Sequence, residues 1–258
     1  MKFTDAQLLD WIQHYAWTFA RLAGVMAIAP ILGSHNVPRR IRVSLAILLT
    51  LIMAPLMNVV PAYDLFSGPW WLGSVAQFSI GLAIGFVLLI AFEAVVMGGE
   101  LIAYGMGLSF AQLADPVRGV STPVVGQFLM LVVTLLFLSM NGHLLLIEVL
   151  AQSFRNLPVT SSGLQLQQVE QIVEASGMIF SGGLQLSLPL VVALLLTNMA
   201  FGVASRATPS LNLQSVGMPI ALIAGLLLLG YGLPSVQVVW DQLIEQTWRT
   251  IATLIAPR

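Results

Sequence analysis

Apolar residues run along this chain in long blocks with short polar breaks between them. Residues 16–33, 43–60, 70–98, 124–150, 178–204 and 218–240 form six such blocks. As helices, runs of this length can each cross about 30 Å of hydrocarbon. Two flanking segments carry a different pattern. In residues 3–15, Leu8, Trp11, Ile12 and Tyr15 recur at helical spacing behind a candidate cap at Thr4, which predicts a short amphipathic helix. Trp11, Tyr15 and Trp17 suit a membrane interface, where an aromatic ring with one polar end is favoured. The polar stretch 153–176 ends in LQLQQVEQIVEAS, which predicts a second amphipathic helix, and residues 241–258 form an amphipathic tail.

The blocks are interrupted. Pro30 and Pro55 lie near the ends of the first two, and Gly81 and Gly85 give the third a small-xxx-small spacing that lets helices approach closely. Asn141-Gly142-His143 breaks the fourth, Gly182-Gly183 and Pro189 lie inside the fifth, and Gly230, Gly232 and Pro234 interrupt the sixth. Broken helices survive in a membrane only where protein or water satisfies the freed backbone groups. The pattern predicts an all-α, polytopic, hydrophobic helical protein with kinked or broken helices and hairpins, forming one domain over residues 1–258.

Residues 100–126, ELIAYGMGLSFAQLADPVRGVSTPVVG, resemble neither neighbouring block. Gly105, Gly107, Gly119 and Gly126 loosen the stretch, and Pro116 and Pro123 interrupt a helix. Met106, Leu108, Phe110 and Leu113 make it too apolar for disorder, while Asp115 and Arg118 are the only charges between Glu100 and Glu148. Loops of this length in compact folds are usually functional or disordered. The stretch therefore reads as a loop buried in protein or closing a cavity.

Composition sharpens this. The chain has 258 residues, 58% hydrophobic and 8% charged, with a mean hydropathy of +0.92. Soluble domains carry about 25% charged residues, so the composition predicts an integral membrane protein or one that reaches its destination through a membrane. A net charge of −1 gives no general attraction for nucleic acid. The absence of cysteine excludes disulfides and thiolate chemistry. The start, MKFTDAQLLDWIQHY, lacks the basic region of a cleavable signal peptide, so the first apolar block is expected to stay. Arg39, Arg40, Arg42, Arg118 and Arg206 fall in alternate connections, which places those connections in the cytoplasm and the N-terminus outside.

Several groups are candidates for chemistry. Gly105 to Phe110 superficially matches a glycine-rich nucleotide loop, but that motif needs a strand before it, and no strand is credible here. Ser109 with His143 could form a nucleophile and base, yet no third orienting group is evident. His14, His35 and His143 are too scattered to converge on zinc. The intramembrane charges weigh more. Glu93 and Glu100 are seven residues apart, hence on one helix face, and Glu148 sits in the fourth block. A carboxylate at membrane depth usually pairs or lines water. Arg21, Arg118 and Arg206 are partner candidates, although Arg21 can instead snorkel outward. Structural ion pairing is preferred here to proton transport.

Three motifs in order are specific together: GMGLSFAQLADP (105–116), SMNGHLLLI (139–147) and SRATPSLNLQSVGMP (205–219). With the VPRRIR cluster, they resemble the FliR family of flagellar export-gate proteins, whose injectisome counterpart is SctT. The resemblance covers essentially the whole chain. It implies a FliP-like half, about residues 1–175, followed by a FliQ-like helical hairpin, about 176–258. It also implies a subunit without enzyme activity or cofactor, in the bacterial inner membrane at the flagellar basal body. The implied partners are FliP, FliQ, FlhB, FlhA and unfolded flagellar substrates. The family's loop at this position closes the pore, and here it would include Gly105, Met106, Gly107, Leu108, Ser109, Phe110, Leu113, Asp115, Pro116 and Arg118. The rival expectation is a secondary transporter of an ion or small molecule, which also uses broken helices.

Overall fold

The computed structural model describes residues 5–34, 37–56, 63–108, 124–159, 163–207 and 213–257. Among these are eight α-helices and no strand. They are α1 (Asp5–Ile28), α2 (Arg39–Met53), α3 (Gly68–Gly105), α4 (Val124–Ser139), α5 (Gly142–Asn156), α6 (Leu166–Ser176), α7 (Met178–Ala207) and α8 (Leu213–Leu254). A 3₁₀ turn, Ala54–Leu56, follows α2. The all-α polytopic expectation holds.

Three helical stretches are long and apolar enough to cross a membrane: Gly68–Gly105, Leu166–Ala204 and Pro219–Leu254. The pair α4 and α5 forms a fourth candidate, bent by 65° at the Asn141 break. Asn141 takes a left-handed φ of 57°, a conformation that asparagine tolerates better than most residues. Next to it, Gly142 lies under the Phe137 ring, where a Cβ would stand 2.5 Å from Cε2.

The expectation of six separate apolar spans is corrected in three places. The amphipathic start and the first block are one continuous helix, α1. Helix α2 has only 15 residues, or about 22 Å at roughly 1.5 Å per residue, and gives way to a 3₁₀ turn where Pro55 stands. Helix α8 runs unbroken through Gly230, Gly232 and Pro234. A proline removes one helical bond, whereas in an apolar setting the remaining backbone groups find no better partners than each other.

By its contacts the chain forms two compact units, each discontinuous in sequence: residues 1–90, 137–176 and 246–258 in the first, and 91–136 and 177–245 in the second. In the first unit, α1 and the start of α3 meet backbone to backbone. A Cβ on Gly81 would collide with the Arg21 carbonyl, and one on Gly24 with the Phe78 carbonyl. Bare glycines on both helices permit this approach. Trp17, expected at the interface, is instead fully buried, and its Nε1 donates to Ser74 Oγ at 3.1 Å. Trp11 keeps about half its surface exposed, 51%.

In the second unit, α3 repeats the device. A Cβ on Gly99 would lie 2.6 Å from Gly126 Cα in α4, and one on Gly98 would lie 3.0 Å from the Gly183 carbonyl in α7. Phe92 packs edge-on against Trp240 with ring centroids 4.9 Å apart. These glycine contacts fix where the ends of the central stretch leave the helices.

Candidate functional site

The central stretch begins later than the sequence suggests, because residues 100–105 continue α3. The helix then stops in a defined way. Gly107 N–H donates to the Tyr104 carbonyl at 3.0 Å, and Leu108 N–H donates to the Ala103 carbonyl at 3.1 Å. Gly107 has φ +78°. This pair of bonds around a left-handed glycine is a Schellman cap. Gly107 thus ends the helix, a role that its left-handed φ makes easiest for glycine.

The root beside this cap is anchored within the second unit. Met106 is only 2% exposed and fills a notch over Gly225 of α8, where a Cβ would stand 2.5 Å from its Cγ and Cε. Asn198 of α7 points its Nδ2 at the Gly105 carbonyl, 3.4 Å away. At the other end of the stretch, Gly126 abuts Gly99, with the Glu100 Cγ nearby. Of the remaining plug candidates, Leu108 is half-buried, whereas Ser109, Phe110, Leu113, Asp115, Pro116 and Arg118 lie outside the described residues.

Arg21 turns inward and is fully buried. Its Nε donates to Gln77 Oε1 at 2.8 Å, and its Nη2 donates to the same oxygen. Nη1 donates to Ser153 Oγ at 3.1 Å, Nη2 also donates to the Leu157 carbonyl at 2.8 Å, and the guanidinium carbon stands 4.3 Å from the Phe154 ring centre. All these acceptors are neutral. The cation joins α1, α3 and α5 through dipoles and one aromatic face.

The other charge candidates are not gathered around it. Glu93 and Glu100 are both half-buried on α3, and among the described residues neither forms an ion pair. Glu148 is exposed and accepts from Gln152 Nε2 at 3.2 Å. The Arg206 side chain lies outside the described residues. No group of three or more possible metal ligands occurs among the described residues. Sequence reasoning missed Gln77, Ser153, Asn198 and Gly225. The available signal was a polar or bare residue inside an apolar helix, which has a packing reason more often than not.

The profile of the family described as bacterial export proteins, family 1, matches residues 12–247. The chain belongs to this family. Its relatives within the family include the flagellar biosynthetic protein FliR of Escherichia coli (strain K12), 35% identical over 99% of this chain and 98% of that protein. The flagellar biosynthetic protein FliR of Pectobacterium carotovorum subsp. carotovorum is 33% identical over 99% of this chain and 97% of that protein. The flagellar biosynthetic protein FliR of Caulobacter vibrioides is 32% identical over 87% of this chain and 90% of that protein. For this family member, then, similarity runs the length of both units and through the central stretch.

Proposed function

We propose that this chain is a subunit of the flagellar type III protein export gate, which completes the secretion pore and plugs it at rest. The observation that carries the reading is end-to-end kinship with proteins named FliR. The all-α architecture with a bent pair of apolar helices supports it. The subunit sits in the inner membrane at the basal body, assembled with FliP and FliQ and adjoining FlhB and FlhA. Residues 1–175 act as the FliP-like half and 176–258 as the FliQ-like hairpin.

The plug is the stretch from Leu108 to Arg118, with Gly105, Met106 and Gly107 as its root. A barrier that must later pass an unfolded polypeptide has to exclude ions yet move. Apolar side chains exclude ions by dewetting a constriction, and Leu108, Phe110 and Leu113 supply such surface. The capped end of α3 and the buried Met106 support a fixed root for this segment. The chain itself performs no catalysis and needs no cofactor, and the energy for export is supplied elsewhere in the apparatus. No observation favours a small-molecule transporter.

The test is mass analysis of what purifies with a tagged full-length copy from its own cells in mild detergent. The reading predicts FliP-like and FliQ-like subunits in fixed ratio. A chain that purifies alone, well behaved and binding a small solute, contradicts it.

A further inference from the structure

The first part of the chain carries charge of one sign. Between Asp10 and Asp64 it holds Arg21, Arg39, Arg40 and Arg42 and no carboxylate. Arg21 is committed to the interior. The other three open α2, with Arg39 and Arg40 exposed and Arg42 half-buried. Among the described residues none of them forms an ion pair. Arg42 Nη1 donates to the Gly33 carbonyl at 3.1 Å, which ties its guanidinium to the chain leaving α1. The first turn of α2 holds no acid, and Pro38 ahead of it makes no side-chain cap bond. The positive end of the helix therefore adds to the arginines.

These charges stand beside an apolar hollow. Between α1 and α2 lies a cavity of about 260 Å³, lined by Phe19, Met26, Val43 and Ala46 as well as by Arg39 and Arg42. We propose that this cavity binds an anionic phospholipid, with its phosphate on Arg39 and Arg42 and a length of acyl chain against Phe19, Met26, Val43 and Ala46. An inorganic phosphate would satisfy the arginines and leave the apolar wall empty. A neutral lipid would fill the wall and leave the arginines without a counter-charge. The positive-inside rule puts this basic cluster at the cytoplasmic leaflet, whose anionic lipids are recognised by basic pockets between membrane helices. The proposal rests on membrane residence and not on the gate reading.

The experiment uses the full-length chain with whatever partners purify with it, stripped of lipid in mild detergent. Phosphatidylglycerol, phosphatidylcholine and inorganic phosphate are each titrated in, and bound species are counted by native mass spectrometry. Phosphatidylglycerol should bind at least ten-fold more tightly than phosphatidylcholine, at about the level that two basic contacts supply. Inorganic phosphate at equal concentration should not displace it. Arg39→Gln with Arg42→Gln should weaken it roughly 30-fold, about fivefold per arginine, while the double lysine variant retains it. Ala27→Phe, at an exposed position on the cavity rim, should weaken it with both arginines intact. Arg155→Gln, at an exposed position on α5, should change nothing. Equal binding of the two lipids, an unaffected double glutamine variant, or binding of phosphate alone overturns the proposal. So does a partner subunit that covers the cavity and excludes every lipid.

Discussion

Replacing Gln77 by leucine should be among the most damaging single changes in the first unit. Gln77 and Arg21 are both 0% exposed, and Gln77 Oε1 accepts from two nitrogens of the guanidinium. A hydrogen bond to a charged group contributes about 1.5–3 kcal/mol, and at this burial bulk solvent does not replace it. Gln77→Leu should therefore cost about 3–5 kcal/mol. Arg21→Met should cost about 2–5 kcal/mol, because it strands the Gln77 and Leu157 oxygens. The double variant removes the cation together with its main acceptor, so it should cost less than the sum by about 2 kcal/mol or more. Gln77→Glu should stay close to wild type. It converts the contact into a charge-assisted pair, and Gln77 Nε2 is buried without a partner, so no bond is lost with the amide. The assay heats the purified complex in detergent and follows recovery of the intact species by gel filtration. At about 2–4 °C per kcal/mol, Gln77→Leu should lower the midpoint by roughly 10 °C. A shift below about 2 °C, or a double variant whose cost equals the sum of the singles, would refute the idea that a buried cation is being held by dipoles.

Three further outcomes follow, the first two from particular contacts. Gly81→Ala should cost at least about 2 kcal/mol by forcing α1 and α3 apart, read as lost recovery of chain in mild detergent, whereas Gly68→Ala, with nothing within 4 Å, should be neutral. Gly107→Ala should cost about 1–2 kcal/mol at its left-handed position and Gly107→Asn less, seen as faster proteolysis near Tyr104. Glu93→Gln or Glu100→Gln should lower the yield of complex more than export per complex; normal assembly with export abolished would reassign them to proton transfer.

Much of the fold could be read from residues. Pro55 marked the end of α2, Asn141-Gly142 marked the bend between α4 and α5, and LQLQQVEQIVEAS marked α6. The misreadings share a cause. Pro234 and Gly230 look like breaks when local preference alone is weighed, yet α8 passes through them. Trp17 looked interfacial because its ring has a polar end, but Ser74 of α3 supplies the partner internally. Sequence leaves Arg21 open between outward snorkelling and an inward ion pair, and its neutral partners are not legible, since Gln77 and Ser153 are 56 and 132 residues away in sequence. For the central stretch, Gly107 reads in sequence as one of four loosening glycines, with Gly105, Gly119 and Gly126. Sequence does not tell a loosened loop from a helix cap, because a left-handed glycine serves both. The notch over Gly225 was equally hidden, because a glycine inside a helix gives no sign of what packs on it.

The central claim is that the stretch rooted at Met106 seals a protein-export pore. Its most direct test is ion conductance across membranes carrying the assembled complex, with residues 109–118 deleted and the capped end of α3 left intact. The account predicts that the complex is recovered at the wild-type level, that conductance rises, and that export persists because the segment is a barrier and not a motor. A deletion that assembles normally and conducts no more than the intact complex would contradict it.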